Sequence, residues 1–203
     1  MALFSRKSST TVVDAPVVAS TPDSQLLDNI SGAYAIDPTH SRIGFSARHA
    51  MVTKVRGQFD EFEGNAVIDT AVPANSKVNV TIKAASVTTG QEQRDGHLKT
   101  PDFFDVEKHE NLTFTSTDVT RDGAEWSITG DLTINDVTRP VTVVFEETGS
   151  AKDPYGNVRV GFEGSTTINR SDWGLAFNAA LETGGVLVSE KVALEFDISA
   201  IAA

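Results

Sequence analysis

Apolar and polar residues alternate along most of this chain, and this period of two is the feature that most restricts its fold. It is clearest in VNVTIKA (78–84), WSITGDLTI (126–134) and VALEFDI (192–198). Successive side chains of a β-strand point to opposite faces, so the pattern predicts strands with one buried and one exposed face; a helix would repeat every 3.6 residues. About eight such segments follow Tyr34, and we therefore predict an all-β protein.

The links between these strands are short and contain turn-forming residues. RDG (121–123) and DPYGN (153–157) are strong turn sequences, and Asn135-Asp136 is a weaker one. Short links join antiparallel neighbours, so we expect an up-and-down barrel or a sandwich. An eight-stranded barrel is wide enough either to be filled by its own side chains or to hold one small ligand. Small inward residues would leave room or accommodate bulky neighbours, and they are Ala47, Ala66, Ala84, Gly130 and Gly164.

One segment, QRDGHLKTPDFFD (93–105), breaks the alternation. The preceding TGQE (89–92) has the spacing of a helix capping box, which predicts a short helix that starts there and ends near Leu98. A helix inserted between two strands of a barrel would cover one of its mouths. We therefore predict a lid whose adjacent Phe103 and Phe104 point into the opening.

Length and charge restrict the number of domains and the kinds of partner that the chain is expected to have. The 203 residues predict one domain, residues 32–203, after a disordered or loosely attached tail, residues 1–31, that is rich in Ser, Thr and Pro. Asp14 and Pro16 interrupt the one candidate for a signal peptide, and no segment is long enough to span a bilayer, so we expect a cytoplasmic protein without stable membrane insertion. The net charge of −11, from 17 basic and 28 acidic residues, argues against nucleic acid or an anionic membrane as a main partner.

Residues with catalytic or metal-binding chemistry form no recognisable motif. The sequence has no cysteine, its four histidines lack the spacing of a zinc site, and it has no nucleophile elbow or phosphate-binding loop. We therefore expect no metal, no cofactor and no catalytic residue. A polar cluster is still predicted at the barrel rim, either to pin the insertion through Asp37, Arg94 and Asp105 or to contact a headgroup. Its members are Asp37, His40, Ser41, Arg94, Asp95, His97 and Asp105.

Five stretches together resemble the YceI family of bacterial lipid-binding proteins. In order they are IDPTHSRIGFSARH (36–49), VRGQFDEFEG (55–64), QRDGHLKTPDFFDVEKH (93–109), GDLTINDVTRPV (130–141) and INRSDWGLAFNAALETGGVLVSEKVALEFDISA (168–200). The resemblance runs from about Tyr34 to the end of the chain. It implies an extended lipocalin-like barrel whose cavity takes long amphiphiles such as polyisoprenoids, isoprenoid quinones or fatty-acid amides.

Three features depart from what the resemblance implies. His109-Glu110 stands where relatives often have Tyr-Pro, and Asp136 stands where they often have glycine. Aspartate tolerates positive φ, so the turn at Asp136 should be kept. Many relatives are exported to the periplasm, whereas the N-terminus here favours the cytoplasm.

The favoured hypothesis is a non-enzymatic carrier or sequestering protein for one long-chain lipid or isoprenoid, with a homodimer left open as the assembly. The residues expected to form the lumen and lid are Phe45, Phe62, Ile82, Leu98, Phe103, Phe104, Phe114, Trp126, Ile128, Phe162, Leu194 and Phe196. Those expected at the headgroup or rim are His40, Arg94, Asp95, His97 and Asp105. Two alternatives remain: an enzyme acting on a small or lipidic substrate at the rim cluster, and a solid-cored adaptor domain.

Overall fold

The predicted strands are present, together with one short helix. The computed structural model describes residues 29–182 and 184–203. In chain order the elements are β1 (Gly32–Ile36), β2 (Arg42–His49), β3 (Thr53–Phe59), β4 (Phe62–Ile68), β5 (Lys77–Lys83), β6 (Val87–Thr88), α1 (Glu92–Leu98), β7 (Asn111–Asp122), β8 (Glu125–Ile134), β9 (Val137–Lys152), β10 (Val158–Asn169) and β11 (Val188–Ala202). Short 3-10 turns lie at Pro38–His40, Pro73–Asn75, Ala84–Ser86 and Arg170–Trp173.

All neighbouring strands pair antiparallel, and the sheet closes on itself as a barrel. The order is β1-β4-β5-β7-β8-β9-β10-β11, and β11 pairs back with β1. The start of β11 pairs with β2 and its end pairs with β1, so β2 continues the line of β1. On the far side of β2, β3 and then β6 pair in turn, and they continue the lines of β4 and β5. Each of β1–β2, β3–β4 and β5–β6 is thus one long interrupted strand. The barrel therefore has the eight antiparallel strands predicted from the sequence.

The break between β1 and β2 has a local cause. Pro38 has no amide hydrogen to offer to β11, so the ladder cannot continue through it. The 3-10 turn Pro38–His40 carries the chain across the gap, and the Asp37 amide donates to the Ser199 carbonyl oxygen at 2.8 Å. Both parts of the strand therefore pair with β11, but the register shifts across the turn, since Ile36 lies opposite Ala200 and Arg42 lies opposite Asp197.

The local predictions are confirmed in one place and corrected in another. The turn at Asn135-Asp136 has both residues in the left-handed region, at φ 49° and 58°. Helix α1 is capped by Gln91, whose side-chain oxygen accepts from the Arg94 amide, and Thr89 is not its cap.

The two ends of the barrel differ in what covers them. The insertion end carries α1, the β2–β3 and β8–β9 turns and the long β10–β11 link, whereas the opposite end carries the β4–β5, β7–β8 and β9–β10 turns. Buried apolar side chains form two clusters inside the barrel, a large one that includes Phe59 and Phe104 and a smaller one that includes Ile30 and Trp126. Phe145 packs against both clusters, so the interior is continuous from one end to the other.

The last three residues of the predicted tail, Asn29–Ser31, are attached to the opposite end. Ile30 is 1% exposed, its carbonyl oxygen accepts from the Tyr34 hydroxyl at 2.9 Å, and the Asn29 side chain accepts from the Thr70 hydroxyl at 3.0 Å. Residues 1–28 lie outside the described part of the chain, so the tail and its boundary stay predictions. Within the described ranges, no helix is long and apolar enough to cross a membrane.

Candidate functional site

A cavity of about 170 Å³ lies inside the barrel and is lined by side chains from all eight barrel strands. Nearly all of these side chains are aliphatic or aromatic. Ser76 is the single hydroxyl among the described lining residues, and it accepts a hydrogen bond from the Asp69 amide at 2.9 Å. Within residues 29–182 and 184–203, no charged residue lines the cavity. The described wall therefore offers a ligand contact by area burial and no ionic partner.

Seven of the twelve residues predicted for the lumen and lid line this cavity. They are Ile82, Phe114, Trp126, Ile128, Phe162, Leu194 and Phe196. The sequence prediction missed other lining residues, among them Phe59, Val143 and Phe145. The alternation in VTVVFEE (141–147) carried the signal for the last two, since both fall on the same face of β9 as Val141. Whether these side chains contact a ligand stays a prediction.

Two inward glycines provide space for aromatic rings on the cavity wall. A Cβ added to Gly164 would stand 2.4 Å from Cδ1 of Phe145, and one added to Gly130 would stand 2.4 Å from Cζ of Phe114. These distances are far below van der Waals contact, so each ring lies against its glycine. Of the two interpretations left open by the sequence, accommodation of bulky neighbours applies to both glycines. Both rings border the cavity.

Trp126 faces the cavity from the smaller cluster and keeps its polar edge away from it. The indole Nε1 donates to Glu147 at 3.2 Å, and the Arg121 guanidinium lies 4.7 Å from the ring centroid. Phe162 meets the same ring edge to face, with centroids 6.2 Å apart. The indole N–H is therefore satisfied, and the ring presents an apolar surface to the lumen.

The other five predicted residues lie outside the cavity lining, in or against the large cluster. They are Phe45, Phe62, Leu98, Phe103 and Phe104. Phe62 and Phe104 are buried, and the remaining three are partly buried. All five lie at the insertion end, where they belong to the large cluster or pack against it and do not line the cavity.

The adjacent phenylalanines of the insertion point in different directions. Phe104 is 9% exposed and packs edge to face on Phe59, with ring centroids 5.5 Å apart. Phe103 instead contacts His97 and Phe177, at centroid distances of 5.1 Å and 5.3 Å. Only Phe104 thus points into the barrel as predicted. Phe177, which sequence reasoning missed, joins the β10–β11 link to the insertion.

Helix α1 is fastened to the end of β6 by charged hydrogen bonds. The Asp95 carboxylate accepts from the amide and hydroxyl of Thr89 and from the Thr88 hydroxyl, and the Arg94 guanidinium donates to the Thr89 hydroxyl at 2.7 Å. Desolvation raises the pKa of Asp95, but these hydrogen bonds outweigh it and leave the pKa below its ordinary value. Arg94 therefore holds the insertion in place, as one of the two interpretations predicted.

The predicted polar rim cluster is not assembled. Its titratable members fall into separate groups, and no hydrogen bond or ion pair described for residues 29–182 and 184–203 joins one group to another. One group is His40 and Asp37, and a second is Arg94 and Asp95, which bond to Thr88 and Thr89. In the other two, His97 lies 2.8 Å from Asp102 and Asp105 lies 2.8 Å from Lys108. Ser41, which does not titrate, bonds to the Ser199 backbone. The cluster prediction is wrong, because the carboxylates of Asp37, Asp95 and Asp105 are each paired with residues close to them in sequence or on a nearby strand.

Asp37 does not pin the insertion, and belongs instead to the Arg159 network, formed by Asp37, Asp153 and Arg159. The Arg159 guanidinium lies 2.6 Å from Asp37 and 2.9 Å from Asp153. Hydrogen bonds from Thr39 and then Arg159 hold the pKa of Asp37 well below its ordinary value. The Asn157 side chain and Arg159 lower the pKa of Asp153 to about 2. The network ties the break after β1 to the β9–β10 turn.

Two of the residues that depart from the family pattern, His109 and Asp136, contact each other. His109 Nδ1 lies 3.1 Å from an Asp136 carboxylate oxygen, without the angle of a hydrogen bond. The neighbouring Asn135 side chain donates to the Phe103 carbonyl oxygen at 2.6 Å. The β8–β9 turn therefore holds the insertion at both its middle and its end. No group of His, Asp and Glu in the described residues has the arrangement of a metal site.

Comparison with known proteins gives one consistent family. The model of the YceI-like domain matches residues 34–200. A UPF0312 protein of Photorhabdus laumondii is 43% identical over 154 residues, covering 73% of this chain and 80% of the relative. Protein YceI of Escherichia coli O157:H7 is 40% identical over 148 residues, covering 72% and 78%.

Solved structures show the same barrel. The Campylobacter jejuni YCEI protein superposes with a TM-score of 0.66 at 30% identity, covering 77% of this chain and 90% of that one. BcnA of Burkholderia cenocepacia gives a TM-score of 0.71 at 23% identity, covering 81% and 98%. A polyisoprenoid binding domain from Saccharophagus degradans gives 0.64 at 20% identity, covering 84% and 98%. The last two establish likeness of fold.

Proposed function

Since this chain belongs to the YceI-like family, we propose that it binds one long-chain amphiphilic lipid in the barrel lumen and carries or sequesters it. The observation that carries the proposal is the cavity wall, whose described lining residues are apolar apart from Ser76 and include no charged side chain. The structural neighbour from Saccharophagus degradans is a polyisoprenoid binding domain, and we place the ligand of this chain in the same chemical class.

Apolar burial would supply the binding energy. Each methylene transferred from water into such a wall contributes about 0.8 kcal/mol before the costs of binding are subtracted. The cavity of about 170 Å³ is comparable to an apolar cavity of roughly 150 Å³ that holds a benzene-sized molecule. A long chain therefore requires the lining side chains to move. Phe145 and Phe196, whose centroids are 5.6 Å apart, are partly buried and border the cavity, so they are the rings we expect to move.

The lining favours a carrier over an enzyme. Its residues in the described part of the chain include no carboxylate, imidazole or amine that would act as a general acid or base. The rim groups on which the enzyme alternative depended are dispersed. A carrier should return its lipid chemically unchanged after prolonged incubation. Release of a modified lipid, abolished by His97→Ala, would support the enzyme alternative instead.

The first experiment identifies the ligand in cells. We expect protein purified from its native host to carry a lipid with a prenyl or long alkyl chain, detected by mass spectrometry of an organic extract. Val143→Phe fills the lumen from β9 and should abolish this lipid. Val144→Phe is the matched control, because Val144 is the next residue, is 44% exposed and lies on the outer face. Equal lipid in all three proteins, all folded, would refute binding in the lumen.

The place of the protein in the cell is a separate proposal. We propose the cytoplasm, because Asp14 and Pro16 interrupt the one candidate for a signal sequence. Fractionation of native cells into cytoplasm and periplasm measures this directly. Recovery of the chain in the periplasm, shortened at its N-terminus, would contradict the proposal.

A further inference from the structure

The β2–β3 hairpin has a charge opposite to that of the rest of the chain. Residues 42–59 contain Arg42, Arg48, Lys54 and Arg56 and no acidic residue, which gives the hairpin a charge of +4 in a chain whose net charge is −11. The remainder therefore carries −15. The net charge of the whole chain argues against an anionic partner, but it does not describe this hairpin, whose surface is basic.

All four cations lie on the outer face of the hairpin, and one of them, Arg42, forms a salt bridge with Glu195 of β11 at 3.7 Å. Arg48 pairs with Lys54 across the two strands, and Arg56 pairs with Ser46 two residues further along, so the three side chains lie on one face. All three are exposed, and no salt bridge is described for any of them. Like charges placed opposite each other on a sheet are destabilising. An anionic surface outside the barrel would remove that cost.

The tip of the same hairpin exposes apolar side chains. Met51 is 57% exposed and Val52 is 74% exposed, the two largest values among the exposed aliphatic residues. The turn holds Ala50 and Met51 in the left-handed region, at φ 50° and 62°, where a two-residue hairpin would favour Asn-Gly. The Arg48 guanidinium donates to the Val52 carbonyl oxygen at 3.2 Å. A cation therefore lies directly beside the apolar tip.

The hairpin tip belongs to the insertion end of the barrel. The Ala50 amide donates to the Leu187 carbonyl oxygen at 2.7 Å, in the β10–β11 link. The same link carries Phe177, which packs on Phe103 of the insertion. Docking at this tip would therefore place the insertion end towards the surface that is bound.

We propose that the β2–β3 hairpin docks the protein on an anionic lipid bilayer, with Met51 and Val52 entering the interface and Arg48, Lys54 and Arg56 against the headgroups. Exposed apolar residues flanked by cations are the chemistry that binds such a surface. Docking is peripheral and reversible. It does not depend on a lipid in the lumen, so the two proposals fail independently.

Flotation with vesicles tests the proposal. The wild type should float with vesicles of phosphatidylcholine and phosphatidylglycerol in equal parts, float much less with phosphatidylcholine alone, and be released by salt. Each cation near an anionic bilayer contributes roughly a fivefold gain in affinity, so Lys54→Gln with Arg56→Gln should weaken binding at least about 25-fold. The matched control is Lys77→Gln with Lys152→Gln, two exposed lysines at the opposite end.

The apolar tip has its own pair of variants. Met51→Asn with Val52→Ser should weaken flotation while all four charges remain, and asparagine accepts the left-handed turn. Val72→Ser with Tyr155→Ser, at the exposed turns of the opposite end, should leave it unchanged. A wild type that stays unbound to the anionic vesicles, or controls that lose binding as much as the hairpin variants, would overturn the proposal. If the wild type does not bind the anionic vesicles, an acidic protein becomes the favoured partner of the hairpin.

Discussion

Gly164→Ala tests whether inward phenylalanine rings set the size of the lumen. The new Cβ would stand 2.4 Å from Cδ1 and 2.7 Å from Cε1 of Phe145. Carbon atoms pack favourably at about 3.5–4.0 Å, so the ring must move by about 1 Å. Phe145 and Phe196 both border the cavity, and the free space lies on that side. We therefore expect the ring to move into the lumen.

This close contact determines the expected loss of stability and the expected loss of ligand affinity. Overpacking costs about 1–3 kcal/mol, and replacing a glycine in a strand recovers about 0.5–1 kcal/mol, so the net loss of stability should be about 0–2.5 kcal/mol. In a chain of this size that lowers the melting temperature by less than about 10 °C. Each methylene that no longer fits costs about 0.8 kcal/mol, so a loss of one or two weakens the longest ligands roughly four- to fifteenfold.

The assay is a titration with prenyl alcohols of increasing length, followed by tryptophan fluorescence. Trp126 borders the cavity, whereas Trp173, the other tryptophan, does not. Gly57→Ala is the matched control, because its Cβ would stand 2.4 Å from Cζ of Phe45, a ring outside the cavity lining. Only the Gly164 variant should prefer shorter alcohols. An equal shift in both variants, or none in a folded Gly164→Ala protein, would refute the reasoning.

Three further predictions concern stability. The carboxylates of the Arg159 network have lowered pKa values, so their contribution is complete above the unfolded value of about 4 and is lost as the pH falls through the folded values. The melting temperature should thus fall between about pH 5 and pH 2, and less steeply in Arg159→Met; parallel curves would contradict this. Phe104→Ala should cost about 3–5 kcal/mol in denaturant unfolding, whereas Phe103→Ala should cost much less and should speed ligand release; equal costs with unchanged release would make both ordinary core residues. Deleting residues 1–28 should leave cooperative unfolding unchanged, whereas Ile30→Ala should cost about 2–5 kcal/mol; the opposite ranking would place part of residues 1–28 in the core.

The sequence by itself determined which segments are strands and which face of each strand is apolar. Alternation is a local property, since a side chain in a strand points to the face opposite that of its neighbour. The chain therefore carried the signal for seven predicted cavity residues, and for Val143 and Phe145, which were overlooked. The left-handed turn at Asn135-Asp136 was likewise readable, because these residue types tolerate positive φ.

Tertiary structure alone decided which residues distant in sequence meet. Asp37 and Arg159 are 122 positions apart, and their ion pair exists because β1 and β10 flank β11. Phe103 and Phe104 are adjacent in sequence, yet one packs on Phe59 of β3 and the other on Phe177 of the β10–β11 link. Periodicity specifies a face, whereas barrel closure specifies a distant neighbour, and closure depends on pairings such as that of β1 with β11, which lie far apart in sequence.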